Sequence, residues 1–235
     1  MNSMYMYKGV PTGNVPSTPT TNDCNVGATT ELCKRQEEIV RKFAPLVAYK
    51  EECNGAMFQD IVPVKSLAKL QTSTSSDQPL EIHTEQAFWE QRPTFISLAC
   101  LRGDSNAVTY VLPLDTLLKH LSAEDVEYLK KPMWVCRVDT SFILGGAKNV
   151  LHGPMPILRE SSIVFDQDLM SGIVPKADLL IRKIVDIYEQ HRTSIVLEAG
   201  DVLVLDNRIF LHGRSKFTPR YDGTDRFLIR CFARI

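Results

Sequence analysis

The sequence predicts a mainly β protein with a few flanking helices, whose strands form a sandwich, a jelly roll or a barrel. Short apolar runs recur at close spacing, and each is bounded by Pro, Gly, Asp or Ser. Only three segments have helical spacing, so the regular alternation of strand and helix that parallel sheets need is missing. The Gly-rich motifs that bind dinucleotides or phosphates are also absent from the sequence.

Composition narrows the class of protein. Of the 235 residues, 44% are hydrophobic and 23% are charged, which are ordinary globular values. The 27 basic and 28 acidic residues give a net charge of −1, which offers no electrostatic footprint for a nucleic-acid backbone. No apolar run approaches the ~18 residues of a membrane helix. The six cysteines are scattered without a Cys-x-x-Cys pair. We therefore expect a cytoplasmic protein with reduced thiols and neither a nucleic-acid nor a membrane partner.

The chain is expected to begin with a loose or extended arm over residues 1–30, which are rich in Pro, Thr, Asn and Gly. A single domain should follow over residues 31–235. Its helices are predicted where apolar residues recur every three or four positions, with Ser122 as an N-cap inside the second. The predicted helices span 31–44, 113–130 and 176–192.

The strands are predicted from short apolar, β-branched runs. They span 58–64, 80–84, 94–101, 107–112, 133–139, 149–158, 161–165, 194–198, 201–206, 209–212 and 225–234. Residues 141–153 contain a Gly-Gly pair and are predicted to form a mobile loop, which makes them a candidate lid.

The sharpest local feature is the run Leu80-Glu81-Ile82-His83-Thr84-Glu85. On a strand, His83 and Glu85 would lie two residues apart and face the same side. An imidazole nitrogen and a carboxylate oxygen could then share one metal ion. Taken alone, such a triplet is more often a solvent-facing polar edge, because His-x-Glu arises frequently by chance.

A second histidine changes that balance. His212 follows an apolar run and is itself followed by a glycine. Together, His83, Glu85 and His212 would supply two imidazoles and one carboxylate. This set is typical of non-haem Fe(II) oxygenases, in which it leaves coordination positions open for a chelating cosubstrate and O₂.

The last predicted strand has two unlike faces. Phe227, Ile229 and Cys231 would lie on an apolar face, and Arg226 and Arg230 on the other. A guanidinium that faces a pocket needs an anion, and the arginine fork suits a carboxylate. An edge strand with solvated arginines fits these residues equally well, so the choice between pocket and solvent stays open at this point.

Two long segments resemble a known family. Residues 83–102 (HTEQAFWEQRPTFISLACLR) resemble the first iron motif of the Fe(II)/2-oxoglutarate dioxygenases of the taurine dioxygenase (TauD/TfdA) class. Residues 206–230 (DNRIFLHGRSKFTPRYDGTDRFLIR) resemble the second motif of its clavaminate-synthase-like branch, which includes amino-acid β-hydroxylases. Weaker similarity runs from near Tyr49 to the C-terminus. The resemblance implies a double-stranded β-helix, the cupin-like jelly roll, as the core.

The same resemblance implies roles for individual residues. His83, Glu85 and His212 would bind Fe(II). Arg226 follows His212 at the interval of the family's cosubstrate arginine, so it would pair with the distal carboxylate of 2-oxoglutarate. Thr109 matches a threonine whose hydroxyl serves the same carboxylate, although an ordinary strand threonine explains it too.

Substrate residues are implied as well. Arg230 matches the arginine that holds a substrate α-carboxylate in the amino-acid hydroxylases of this branch. Asp166 and Asp168 lie near the point where related arginine hydroxylases place aspartates against the substrate guanidinium. A turn or helix-capping pair is the equal alternative. Only 82 residues precede His83, a short leader for this branch, so part of the substrate pocket is expected to be missing or rebuilt.

The sequence therefore predicts an Fe(II)- and 2-oxoglutarate-dependent oxygenase that uses O₂ to hydroxylate an unactivated C–H bond and forms succinate and CO₂. Glu85 argues against a halogenase, because related halogenases lack this carboxylate. The expected partner is a small molecule, a free amino acid, with a basic one such as arginine or lysine favoured. The alternatives are a non-catalytic metal-binding jelly-roll sensor and a peptide-directed hydroxylase or demethylase with the same iron chemistry.

Overall fold

The computed structural model describes residues 4–22 and 25–235. All its strand pairs are antiparallel. The strands are β1 (Met4–Tyr7), β2 (Leu46–Val47), β3 (Gln59–Ile61), β4 (Leu80–His83), β5 (Phe95–Arg102), β6 (Thr109–Pro113), β7 (Trp134–Arg137), β8 (Leu151–Met155), β9 (Leu158–Arg159), β10 (Ser162–Ile163), β11 (Met170–Gly172), β12 (Thr193–Ile195), β13 (Val202–Asp206), β14 (Phe210–Arg214) and β15 (Phe227–Ala233). The helices are α1 (Glu31–Val40), α2 (Leu114–Lys119), α3 (Ala123–Leu129), α4 (Thr140–Leu144) and α5 (Pro175–His191).

The larger sheet has the strand order β1-β13-β5-β15-β2, with β3 also paired to β15. Its two faces differ because successive residues of a strand point to opposite sides. In β15, Phe227, Ile229 and Cys231 pack on the side of α1, whereas Leu228 and Phe232 belong to the main core. The apolar face predicted for this strand is thereby confirmed.

Helix α1 covers the outer face of the larger sheet. Thr30 caps its N-terminus by accepting a hydrogen bond from the N–H of Cys33 (3.3 Å). Leu32 and Val40 are buried against the sheet. The buried amide of Gln36 donates to a backbone carbonyl of β15 (3.1 Å), which attaches the helix to the strand that carries Arg230.

The smaller sheet has the order β12-β6-β14-β4. Its apolar residues Val111, Leu112, Phe210 and Leu211 share the main core with the inner face of the larger sheet. Two antiparallel sheets packed in this way form a jelly roll, so the predicted fold class is confirmed. Strands β4 and β14, which carry the two histidines of the predicted metal site, are direct neighbours in this sheet.

Helices flank the core on the side of the smaller sheet. The segment predicted as one helix over 113–130 is two helices, because Ser122 starts α3 with a reciprocal capping box to Asp125. The predicted N-cap is thus confirmed. The long helix α5 begins with Pro175 at its first position and buries one apolar stripe in the core. None of the helices within residues 4–22 and 25–235 is both long and apolar enough to cross a bilayer.

One part of the segment expected to be a loose or extended arm, residues 1–30, forms a strand. Met4–Tyr7 pairs antiparallel with β13 and forms the edge of the larger sheet. Met4 and Met6 are partly buried against the main core. The sequence did not predict this short strand, because the residues that follow it are polar and rich in Pro. The division of the chain at residue 30 stays a prediction.

The loop predicted over residues 141–153 is also more ordered than expected. Its first part forms α4 and its last part forms β8, which pairs with β7. A Cβ atom on Gly145 would lie 1.7 Å from the carbonyl oxygen of Glu51. Gly145 therefore allows close packing of two backbone segments. A Gly-Gly pair in a sequence does not distinguish such packing from a mobile loop.

Candidate metal centre and substrate cavity

The first histidine of the predicted metal site ends strand β4. His83 lies opposite His212 of β14 in the antiparallel register, and their ring centroids are 4.4 Å apart. Strand β4 stops at His83, so Glu85 is not aligned by strand alternation as expected. It lies in the following turn, where the side chain of Asn207 accepts from the Glu85 N–H (2.7 Å) and donates to its carbonyl (3.1 Å). This clamp orients Glu85 towards the histidines.

The three side chains converge. One candidate ligand atom from each of His83, Glu85 and His212 lies within 4.8 Å of the other two. The Nε2 atoms of His212 and His83 are 3.5 and 3.9 Å from Glu85 Oε1. Glu85 and His212 are buried, and His83 is half-buried. This is the only group of three or more potential ligands found among the described residues.

The donor set suits a divalent transition metal. Both ring nitrogens of the buried His212 lack a hydrogen-bond partner among the described residues, which is costly unless a ligand takes one lone pair. His83 Nδ1 lies 2.8 Å from the carbonyl of Glu81, and because a carbonyl only accepts, this nitrogen carries the proton. His83 Nε2 then offers its lone pair towards Glu85, as a metal ligand requires.

Protonation states favour the same chemistry. Burial lowers the pKa of His83, and His212 beside it acts in the same direction. Burial alone would raise the pKa of Glu85, but the Arg230 guanidinium together with His212 and His83 holds that pKa at about 2. A neutral imidazole and an ionised carboxylate are the forms that bind a metal.

Arg226 lies at one end of the site, in a cavity that is also lined by His83, His212 and Thr109. Its side chain is buried, which lowers its pKa to about 10. No carboxylate lies within 4.0 Å of Arg226 in the described part of the chain. A buried cation without a partner favours an anionic ligand, and the hydroxyl-bearing Thr109 borders the same space.

Arg230 lies between that cavity and a second one, and lines both. Its Nη1 is 3.5 Å from Glu85 Oε1, and its Nε donates to Gln59 Oε1 (2.9 Å). Its Nη2 also contacts Glu52, whose other oxygen accepts from Gln86 (3.2 Å). Burial raises the pKa of Glu52 to about 7, although Arg230 opposes this.

The two predicted aspartates both line the second cavity. Asp166 forms an isolated bridge to His83 and accepts the N–H groups of Asp168 (2.9 Å) and Leu169 (2.8 Å) through one oxygen. It therefore caps a turn and borders the cavity at once. Burial raises the pKa of Asp166 to about 7. Asp168 is exposed and lies 4.0 Å from Arg137.

Charge in the second cavity is strongly one-sided. One guanidinium, that of Arg230, stands against six carboxylates. These carboxylates belong to Glu52, Glu81, Glu85, Asp139, Asp166 and Asp168. The space suits a ligand that brings positive charge.

Four residues of the site were missed at the sequence level: Glu52, Gln59, Asn207 and Arg214. Gln59 carried a signal, since it is a polar residue within an apolar strand. Arg214 did too, because it lies two residues after His212 on one strand face. Glu52 and Asn207 lie outside strands, and no sequence pattern marks them.

Most of the chain matches a known family of proteins. Residues 36–232 match the family model described as "Taurine catabolism dioxygenase TauD, TfdA family". The chain is 44% identical over 235 residues to the L-lysine 3-hydroxylase of Catenulispora acidiphila, covering 97% of this chain and 66% of that protein. It is 34% identical over 197 residues to the L-asparagine oxygenase of Streptomyces coelicolor, covering 79% and 56%. The chain thus spans at most about two thirds of these relatives' length.

Solved structures show the same likeness. Asparagine oxygenase in complex with Fe(II), 2S,3S-3-hydroxyasparagine and succinate has a TM-score of 0.90 and 28% identity, covering 99% of this chain and 74% of that one. The non-heme iron oxygenase OrfP with Fe and alpha-ketoglutaric acid has a TM-score of 0.83 and 26% identity, covering 99% and 75%.

Proposed function

The chain belongs to the TauD/TfdA dioxygenase family, and from that premise we propose that it is an Fe(II)- and 2-oxoglutarate-dependent hydroxylase of a free basic L-amino acid. Lysine is the first candidate substrate and position 3 the first candidate carbon. One observation carries the proposal: His83, Glu85 and His212 converge in a buried site beside Arg226, a buried cation without a carboxylate partner.

His83, Glu85 and His212 would hold the iron. When bound with O₂, it supplies oxidative decarboxylation of 2-oxoglutarate to succinate and CO₂ together with the oxygen inserted into the C–H bond. The burial of Glu85 and His212 excludes bulk water from this reaction. The hydrogen bond from His83 Nδ1 to Glu81 fixes the orientation and the tautomer of one ligand.

Arg226 and Thr109 would bind the distal carboxylate of 2-oxoglutarate. Both line the cavity that ends at His212, and Thr109 lies on the strand next to that histidine. A guanidinium in a buried site binds a carboxylate more strongly than one in water, because the local dielectric is low.

The substrate would lie in the acidic cavity, with its α-carboxylate on Arg230. Glu52 beside it can receive the α-ammonium, and Asp166 and Asp168 border the space left for a cationic side chain. Because Arg230 Nη1 is 3.5 Å from Glu85 Oε1, an α-carboxylate held by Arg230 would place the adjacent carbons beside the residues that would hold the iron. The relative's designation as a lysine 3-hydroxylase agrees with that expectation.

We also propose a cytoplasmic location. Cys33, Cys100, Cys136 and Cys231 are buried free thiols, as is usual in a reducing compartment. Burial raises the pKa of Cys33 and Cys100 to about 12, so these thiols are unreactive.

The test measures succinate formation by the purified protein with Fe(II), O₂ and 2-oxoglutarate. The panel contains lysine, ornithine, arginine, asparagine and leucine, and mass spectrometry and NMR identify the product. We expect lysine to stimulate succinate formation and to gain one hydroxyl at position 3. His212→Ala should abolish this turnover, whereas His191→Ala, which removes an exposed histidine, should not.

Other outcomes favour the alternatives. A protein that binds iron but never turns over 2-oxoglutarate would be a non-catalytic sensor. Turnover stimulated by lysine-containing peptides but by no free amino acid would indicate a peptide-directed enzyme.

A further inference from the structure

A third arginine, Arg214, lines the cavity that Arg226 and Arg230 also line. Strand β14 carries His212 and Arg214 two residues apart, so both side chains point to the same side. In the register of β14 with β6, Arg214 lies directly opposite Thr109. Residues paired in this way have Cβ atoms about 5 Å apart. Arg214 and Thr109 line one cavity together with Arg226.

The contacts of Arg214 are all with neutral groups. Its Nη1 donates to the carbonyl of Ser73, its Nη2 to Ser75 Oγ and its Nε to the carbonyl of Ser215, each at 3.1 Å. Arg214 is only 5% exposed. No carboxylate within residues 4–22 and 25–235 comes within 4.0 Å of its guanidinium.

Arg214 and Arg226 are therefore two buried guanidinium groups of one cavity that have no carboxylate within 4.0 Å among the described residues. Glu85, which lines the same cavity, pairs with Arg230 instead. Placing two like charges in a poorly hydrated space is unfavourable unless an anion enters it. Only three of the five N–H groups of Arg214 are used by the contacts above, so donors remain for a ligand.

Building on the function proposed above, we propose that Arg214 is a second cation of the 2-oxoglutarate site, which acts with Arg226 and Thr109 on the distal carboxylate. The cavity then selects a 2-oxo acid with a second carboxylate, because only such a ligand neutralises both arginines. The competing explanation is a purely structural one, in which Arg214 merely ties the segment Ser73–Ser75 to β14.

The two explanations differ in which substitutions should weaken the binding of 2-oxoglutarate. The experiment titrates 2-oxoglutarate into the Co(II)-loaded protein, because cobalt allows binding to be measured without turnover. Arg214→Gln removes the charge, Arg214→Lys keeps it without the fork, and Ser75→Ala removes one structural contact. Arg220→Gln, which removes an exposed arginine of the following segment, is the matched control.

We expect Arg214→Gln to raise the Kd for 2-oxoglutarate about tenfold to a hundredfold, the usual effect of one charge-assisted contact. Its Co(II) affinity should stay within about threefold of the wild type. Arg214→Lys should lose far less affinity for 2-oxoglutarate than Arg214→Gln. Ser75→Ala and Arg220→Gln should bind 2-oxoglutarate as the wild type does.

Several results would overturn the inference. One is an unchanged Kd for 2-oxoglutarate in Arg214→Gln. Another is a Ser75→Ala variant whose Kd for 2-oxoglutarate rises as much as that of Arg214→Gln. If Arg214→Gln does not fold, Arg214→Lys and Ser75→Ala decide, since equal large losses in both would indicate the structural tie. A wild type that takes up Co(II) but not 2-oxoglutarate would refute the proposed function as well, whereas equal binding by wild type and Arg214→Gln refutes this inference alone.

Discussion

Asn207 is expected to be the residue whose loss couples stability to metal binding most directly. Its side-chain amide is 1% exposed and makes three hydrogen bonds. It accepts from the Glu85 N–H (2.7 Å) and donates to the carbonyls of Glu85 (3.1 Å) and Pro93 (2.9 Å). Asn207→Ala removes all three at once and releases the peptide that carries the candidate metal carboxylate.

The expected cost follows from these contacts. Each buried backbone group that loses its partner costs about 1 kcal/mol or more, so three of them lower the free energy of unfolding by about 3 kcal/mol. A domain of ordinary stability, about 5–15 kcal/mol, still folds after that loss. Mutating a residue that hydrogen-bonds to a metal ligand and orients it typically lowers metal affinity by about 10–100-fold. The Co(II) affinity of Asn207→Ala should fall by that factor.

Urea unfolding gives the free energy, and the visible absorption of Co(II) gives the affinity. Asn106→Ala removes an exposed asparagine side chain and serves as the control, with both quantities unchanged. The reasoning is wrong if Asn207→Ala loses less than about 1 kcal/mol and binds Co(II) as the wild type does. A large loss of stability with unchanged Co(II) affinity would show that Glu85 needs no clamp.

Three further predictions concern the surroundings of the site. Arg92→Met should lower the free energy of unfolding by about 2 kcal/mol in urea titrations, because Arg92 donates to Thr84 Oγ1 (3.2 Å) and to the carbonyl of Ile163 (2.9 Å). Glu52→Gln should raise KM for lysine at least about tenfold and leave KM for 2-oxoglutarate unchanged; a rise in both would contradict its assignment to the substrate. Burial raises the pKa of Asp166 to about 7, so it is neutral below that pH and ionised above it. The kcat/KM for lysine should therefore rise from pH 6 to pH 8, and Asp166→Asn should reduce that rise. Glu52, whose pKa burial also raises to about 7, should account for the remainder.

Strand alternation correctly predicted that the two faces of the last strand differ. The apolar face of β15 packs towards α1. Arg230 in β15 and Arg226 just before it are buried rather than exposed to solvent. The choice between pocket and solvent could not be made from the sequence, because it depends on which strands lie opposite. The smaller sheet, in which β14 pairs with β4 and β6, shares the main core with the inner face of β15, and its strands come from distant parts of the chain.

The position of Glu85 shows where local reasoning fails. The His-x-Glu spacing suggested a shared strand face, yet β4 ends at His83 and Glu85 is oriented by Asn207, more than a hundred residues away. Glu85 does lie beside the two histidines as predicted, but a turn places it there and not a shared strand face. A side chain in a turn is oriented by its hydrogen bonds, and these are made by residues that no periodic pattern identifies.

Charge separation across the candidate metal centre would distinguish the proposed 2-oxo diacid from the proposed basic amino acid. Arg214 and Arg226 lie at one end, and Asp166, Asp168 and Asp139 line the other cavity. His83, Glu85 and Arg230 form a wall common to both spaces. A diacid placed in the acidic cavity would meet like charges, and a basic amino acid placed beside two arginines would too, so each ligand is rejected by the wrong side. Exchanging the sign at one end should therefore change which ligand is excluded there rather than weaken both equally, and Asp166→Lys should depress lysine turnover without affecting the Kd for 2-oxoglutarate.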